Sequence, residues 1–382
     1  MTTAVSRTDL LQALKLADKV SDRKGFYAAA WCKIAAKDGV ITIKSTDEDQ
    51  CARTTLACKG DDLEPVCVDV REVLSAYPVA GGRETHLYVN ENGALMIGGV
   101  GYHPQSIDPF DPLLTFAKPE TTQCAATMLA KDWLDNLSQI SPCMSKEAER
   151  YYLNGVVIRS GAPGKDSFDK EGNRLPGPYL SFAATDGHRL AALDVYIGEN
   201  TIGGDHIIPS KAIKNLLHLL RRAPREALVT FRFGQGLMRA LIDGVEYVTK
   251  LVDEAYPDYG RVIPAERVHA KTAHVNLCAL VAAARNIANS EANARPDMAV
   301  LLQKSDTWLV CDANGSTYAA FADQTTEDPL VIGFKTKYLQ DLAKTFAKGS
   351  MLKLEMGTPI DPVLITSDSN PGMRYVLMPC RV

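Results

Sequence analysis

Residues 8–21, TDLLQALKLADKVS, and the run that follows them at 32–49, CKIAAKDGVITIKSTDED, decide the fold of this chain. The first reads as an amphipathic helix. The second alternates around a turn, as the arms of a β-hairpin do. The pair recurs: AKDWLDNLSQIS from Ala130 precedes YYLNGVVIRS and GPYLSFAATDGHR, and NLCALVAAARNIAN from Asn276 precedes VLLQKSDTWLVCDANGST. A second set of helices, VDVREVLSAYP, IPSKAIKNLLHLL and FKTKYLQDLAKTF, leads into HLYVNENGALMIGG, ALVTFRFGQGLMRALI and MLKLEMGTPIDPVLITS. One helix-plus-strands motif is thus used six times, and such self-similarity decides the architecture before any local motif does.

Spacing supports the repeat. Leu10 to Leu74 is about 64 residues, Trp133 to Leu216 about 83 and Leu277 to Leu339 about 62. The middle value is long because SGAPGKDSFDKEGNRLPGP, Ser160 to Pro178, reads as a hairpin-loop insertion of about 19 residues rich in Gly, Pro and charge. Three similar α+β domains follow, each with two helices and antiparallel sheets, at 1–122, 123–263 and 264–382.

With 382 residues, 46% apolar residues and a net charge of −4, the sequence describes a folded chain of two or three domains. No apolar run approaches the roughly 18 residues a membrane span needs, and no signal peptide is legible, so a cytoplasmic location is expected. Nine cysteines without a CxxC pair suggest neither disulfides nor zinc, and no metal or cofactor is expected. Contact with nucleic acid would need segregated positive charge. Two helices offer it. In PSKAIKNLLHLLRRAP, Ile213, Leu216, Leu217 and Leu220 share one face while Lys211, Lys214, His218 and Arg221 share another; KTKYLQDLAKTFAKG sets Lys337, Lys344 and Lys348 opposite Leu339, Leu342 and Phe346. For one such helix a solvated face is the plain reading.

FAATDGHRLAALD, Phe182 to Asp194, sets Thr185, Asp186, His188 and Arg189 within five positions, as a hydrolase constellation would. In the repeat register ATDGH falls where the first domain has STDED and the third DANGS, so a strand-end turn is the stronger reading. GAPGK at Gly161 to Lys165 is too short for a P-loop, and HExxH and GxSxG are absent.

ERYYLNGVVI, FAATDGHRLA, KLVDEAYPDYGRVIP and RYVLMPCRV, in this order from Glu149 to Val382, resemble the bacterial sliding clamp, the beta subunit of DNA polymerase III. That resemblance implies a head-to-tail homodimeric ring of six domains, without catalytic activity, that encircles double-stranded DNA as a processivity factor. It implies partners in the DNA polymerase III alpha subunit, the clamp loader and other clamp-binding-motif proteins, among them repair polymerases, mismatch-repair proteins and ligase. A diverged second-copy clamp, serving a specialised polymerase or resisting an inhibitor, is the alternative.

The resemblance also implies sites. Peptide-binding positions are Leu153, Thr185, Gly187, His188, Arg189, Leu190, Pro257, Arg261, Val262, Val376, Leu377, Met378, Pro379 and Arg381, with Tyr338 at the rim. The aliphatic residues would form a trough, with Arg and His directing a peptide. DNA contacts are Arg23, Lys24, Arg150, Tyr151 and Tyr152, beside Lys211, Lys214 and Arg221; read by themselves, the two tyrosines equally suit strand packing. The ring seam would set Ile287 and Ala288 against Tyr102. Cys380, Val382, Gly260 and Ala288 depart from residues common in the family, as do Glu147 and the loop after Ser160.

Overall fold

The computed structural model describes residues 2–21, 31–77, 82–104, 124–161, 179–197, 202–264, 271–290, 295–305, 307–322 and 330–382. Arg23, Lys24 and almost all of the insertion after Ser160 lie outside these residues.

The first third runs β1 (Thr3–Ser6), α1 (Arg7–Val20), β2 (Trp31–Lys37), β3 (Val40–Thr46), β4 (Gln50–Gly60), β5 (Leu63–Asp69), α2 (Val70–Ser75), β6 (Glu84–Val89), β7 (Leu95–Ile97) and β8 (Val100–Tyr102). The middle third runs β9 (Cys124–Leu129), α3 (Ala130–Ile140), β10 (Gly155–Gly161), β11 (Tyr179–Thr185), β12 (Arg189–Tyr196), β13 (Asp205–Pro209), α4 (Ser210–Arg222), β14 (Leu228–Gly234), β15 (Leu237–Ile242) and β16 (Val245–Lys250). The last runs β17 (Lys271–Asn276), α5 (Leu277–Ala288), β18 (Met298–Lys304), β19 (Thr307–Cys311), β20 (Thr317–Ala322), β21 (Val331–Lys335), α6 (Thr336–Thr345), β22 (Met351–Met356), β23 (Val363–Thr366) and β24 (Met373–Leu377). The order is β-α-β-β-β six times over.

Each helix begins where a strand ends, with no loop between. The last strand residue caps several of them: Ser6 Oγ accepts from the Asp9 amide, Asp69 from Arg71 and Asn276 from Ala279. These side chains satisfy amides that have no partner inside the helix.

Within each third the two motifs exchange their first strands, giving six antiparallel sets of four. These are β5-β2-β3-β4, β1-β6-β7-β8, β13-β10-β11-β12, β9-β14-β15-β16, β21-β18-β19-β20 and β17-β22-β23-β24. Two closing strands from different thirds then join: β4 pairs with β16 through Thr54↔Val245 and Gln50↔Thr249, and β12 pairs with β24 through Arg189↔Leu377 and Leu193↔Met373. Among the described residues β8 and β20, also closing strands, are left as sheet edges.

Compact packing therefore follows sheets rather than thirds of the sequence. One unit is Met1–Lys131 with Lys214–Leu251, the other Asp132–Ile213 with Val252–Val382. Leu10, Leu14, Ala17, Ile34, Ile43 and Leu87 belong to the core of the first. In the second, Trp133 meets Phe182 edge-on with ring centroids 5.9 Å apart, and both are fully buried.

The repeat register holds in the turns. Asp47 accepts from the Asp49 and Gln50 amides, Asp186 from His188 and Arg189, and Asp312 from Asn314 and Ser316. Thr46 and Thr185 each donate the hydroxyl to the carbonyl four residues on. Asp186 is thus a turn cap with the same local role as its two counterparts.

Candidate partner groove and cationic helix face

The sheet junction β12–β24 brings the expected groove residues together. It carries the strand Arg189–Tyr196 alongside Met373–Leu377, so segments nearly two hundred residues apart in sequence become neighbours. Pairing continues past the strand end, where the Met378 amide donates to the His188 carbonyl at 2.8 Å. Leu153, Leu190 and Val376 then pack in one buried cluster with Tyr256 and Tyr259, against which Tyr152 and Ile263 are laid. The Thr185 amide donates to Tyr256 Oη at 3.1 Å, fixing the 253–263 segment to the β11 end. His188 stacks on Tyr338 with centroids 6.5 Å apart.

These contacts sort the expected groove residues into two kinds. Leu153, Leu190, Val376 and Leu377 are buried. Gly187, His188, Pro257, Arg261, Val262, Met378 and Arg381 are exposed, while Thr185, Tyr338 and Pro379 are half-buried. The apolar and aromatic part of the surface that a peptide could meet is therefore Val262, Met378, the two prolines and the His188–Tyr338 pair.

Arg189 differs from the expectation of a peptide-directing cation. Its side chain is only 8% exposed. Nε donates to Asp186 at 3.0 Å, one terminal nitrogen to Asp341 at 2.9 Å and the other to the Pro142 carbonyl at 2.6 Å. The guanidinium also lies over the Tyr338 ring, 4.5 Å from its centroid. Burial alone would lower its pKa, but Tyr375, Cys143, Asp341 and Asp186 around it raise it overall. Arg189 is an internal strut, since its donors are engaged within the chain. Arg261 pairs with Asp258 at 3.1 Å but remains largely in solvent.

Gly187 sits at φ +85°, and a Cβ there would come 2.7 Å from a terminal nitrogen of Arg150. Arg150 therefore lies against the groove turn, and it pairs with Glu147 at 2.6 Å. Tyr151 and Tyr152 occupy a 3-10 turn over Tyr151–Leu153 rather than the strand that their β propensity suggested, because β10 starts only at Gly155. Tyr151 is 49% exposed and donates its hydroxyl to Glu254 at 2.6 Å.

The cationic face of α4 is as the helical spacing implies. Lys211, Lys214 and Arg221 are exposed while Ile213, Leu216, Leu217 and Leu220 are buried. The sequence reading missed its extension onto α1, where Lys15 and Lys19 are exposed. Lys19 Nζ donates to His218 Nδ1 at 3.0 Å, and Arg222 donates to Gln12 at 2.7 Å, so the two helices share one basic surface. Burial lowers the His218 pKa, and Lys19, Arg222 and Arg221 lower it further. The four-residue spacing of Lys15 and Lys19 on α1 was the available signal. A cavity of about 160 Å³ in the same unit is lined by Asp9, Gln12, Leu16, Leu219, Arg222 and Asp243, with none of the expected groove residues.

At the expected seam, Ile287 is fully buried and Tyr102 nearly so, with its hydroxyl donating to the Val73 carbonyl. Their side chains fill the chain's own interior, and Ala288 is half-buried. Among the described residues there is no group of three or more His, Cys, Asp or Glu able to hold a metal ion, and no helix long and apolar enough to cross a membrane.

The fold defined by these sheets and helices is that of the DNA sliding clamps. A sliding clamp from Bartonella birtlesii covers all of both chains with a TM-score of 0.82 at 23% identity, and one from Caulobacter crescentus does so with 0.85 at 21%. Residues 129–258 match the family described as the DNA polymerase III beta subunit, central domain. The chain is 28% identical over 243 residues to the beta sliding clamp of Caulobacter vibrioides and 27% to that of Escherichia coli, stretches that span 63% of this chain and 61% and 60% of those relatives. The resemblance read from four sequence segments is thus to the bacterial beta subunit.

Proposed function

We propose that this protein is a non-catalytic DNA sliding clamp: a head-to-tail homodimeric ring of six domains, three per chain at 1–122, 123–263 and 264–382, that encircles duplex DNA. One observation carries the reading. Among the described residues six β-α-β-β-β motifs supply six closing strands; β4–β16 and β12–β24 are joined within the chain, and β8 and β20 are left as edges. The repeat supplies the missing pair from a second copy, β8 of one chain against β20 of the next, which removes exposed sheet edges and makes the contact head-to-tail.

The helices fit the cargo. A sliding ring needs phosphate attraction that is blind to sequence, which the Lys/Arg face of α1 and α4 would supply without base readout. Arg23 and Lys24 remain proposed DNA contacts by resemblance. The groove walled by the 185–189 turn and Met378–Arg381 would receive short peptides of the polymerase III alpha subunit, the clamp loader and repair proteins. Its exposed apolar liners are adaptable, Met378 above all.

The test is retention on DNA. Loaded by a clamp loader onto nicked circular DNA, the protein stays bound through gel filtration in moderate salt and is lost when the circle is linearised. Equal retention on both forms would rule out a topological clamp. An ATPase and nuclease assay of the purified chain should read zero, because Asp186 is engaged as a turn cap and with Arg189.

A further inference from the structure

Asp341 lies on α6, one turn from Lys337 and Lys344, and only 5% of its side chain is exposed. One carboxylate oxygen accepts from both lysines, Lys337 at 2.7 Å and Lys344 at 2.8 Å. The other accepts from Arg189 at 2.9 Å, across 152 residues of sequence. Arg189 in turn braces Asp186, the Pro142 carbonyl and the Tyr338 ring, which are the turn and the rim of the groove. Three cations therefore converge on one carboxylate, two belonging to the helix and one to the groove.

We propose that Asp341 is a positioning residue that ties the partner groove to the charge α6 presents: it fixes the His188–Tyr338 wall through Arg189 and withholds Lys337 and Lys344 from phosphate. The proposal rests on the clamp reading of the groove and helices. Removing the charge while keeping the shape leaves a buried guanidinium short of an anion, so the wall loosens. It also releases two lysines whose side chains are 65% and 60% exposed. Peptide and DNA affinity should then move in opposite directions, a pattern that general loss of folding does not produce.

The test is fluorescence anisotropy of the full chain with two probes, a labelled short peptide containing Gln, Leu and Phe, and labelled duplex DNA over a salt series. Asp341→Asn should weaken the peptide about tenfold and steepen the salt slope of DNA binding by up to about 1.8, the release of two counterions. Lys337→Ala with Lys344→Ala should leave the salt slope of DNA binding close to the wild-type value, because both lysines are already engaged by Asp341, and leave the peptide within about twofold, since the Arg189 pair survives. Asp368→Asn, an exposed carboxylate outside the cluster, controls for one lost charge and should leave the slope as it is. Should Asp341→Asn fail to fold, Asp341→Glu carries the test, with a weaker peptide at unchanged slope. Unchanged peptide affinity, or weaker DNA binding, in a folded Asp341→Asn protein overturns the proposal. Failure of the wild type to bind peptide would instead discredit the groove reading, while the DNA arm would still decide whether Asp341 withholds the lysines.

Discussion

The Met378 amide donates to the His188 carbonyl at 2.8 Å, extending the β12–β24 ladder by one rung beyond its last strand pair. Two residues on, the Cys380 amide donates to the Gly333 carbonyl at 2.9 Å. Gly333 admits this close approach because a Cβ there would sit 2.8 Å from the Cys380 carbonyl oxygen. The segment after β24 is therefore held by backbone bonds at two points, and Cys380 also packs on the cluster of Met298, Val300 and Cys311.

Deleting Met378–Val382 removes one wall of the proposed groove and both bonds. Peptide binding by calorimetry should fall below detection. The loss of about two net hydrogen bonds, each of about 0.5–1.5 kcal/mol, should lower Tm by a few degrees without abolishing the fold. Retained peptide affinity would show that the wall lies elsewhere.

The seam makes a different kind of prediction. Light scattering at micromolar concentration should give the mass of a dimer, and amide exchange in β8 and β20 should slow as the concentration rises. Ile287→Asp should destabilise the chain itself by about 3–5 kcal/mol, since it places an unpaired charge at a fully buried position. A well-folded Ile287→Asp monomer would instead restore Ile287 to the surface.

Replacing Lys211, Lys214 and Arg221 by Ala should flatten the salt slope of DNA binding by about 0.9 for each phosphate that is no longer neutralised. As the three are exposed, stability should change by no more than about 0.5 kcal/mol at each. Adding Lys15→Ala and Lys19→Ala should flatten the slope further if α1 and α4 act as one surface.

Asp341 also predicts an acid limit. Burial would raise its pKa, but hydrogen bonds from Lys337, Lys344 and Arg189 outweigh burial and hold it at about 2. A folded pKa below the unfolded value of about 3.9 gives a stabilising contribution that is complete above that value and lost as pH falls through the folded one. The Tm gap between wild type and Asp341→Asn should therefore be constant above about pH 5 and close toward pH 2. A gap independent of pH would mean that the carboxylate's charge does not stabilise the fold.

Much of this was legible in the chain itself. Helix periodicity placed the six α-helices of the described residues, because an apolar stripe at 3.6-residue spacing must be buried whatever it packs against. Alternation and turn residues placed the hairpins. The repeat register assigned Asp186 to a turn, as its counterparts Asp47 and Asp312 bear out. Local periodicity, however, carries no information about which strand edge meets which. The joins β4–β16 and β12–β24, and with them the two compact units, depend on backbone pairing between distant segments. Nor could residue type tell an exposed cation from an engaged one. Arg189 and Arg261 look alike in sequence, yet Arg189 is buried among two carboxylates, a carbonyl and a ring while Arg261 stands in solvent, because only packing sets the burial that makes pairing obligatory.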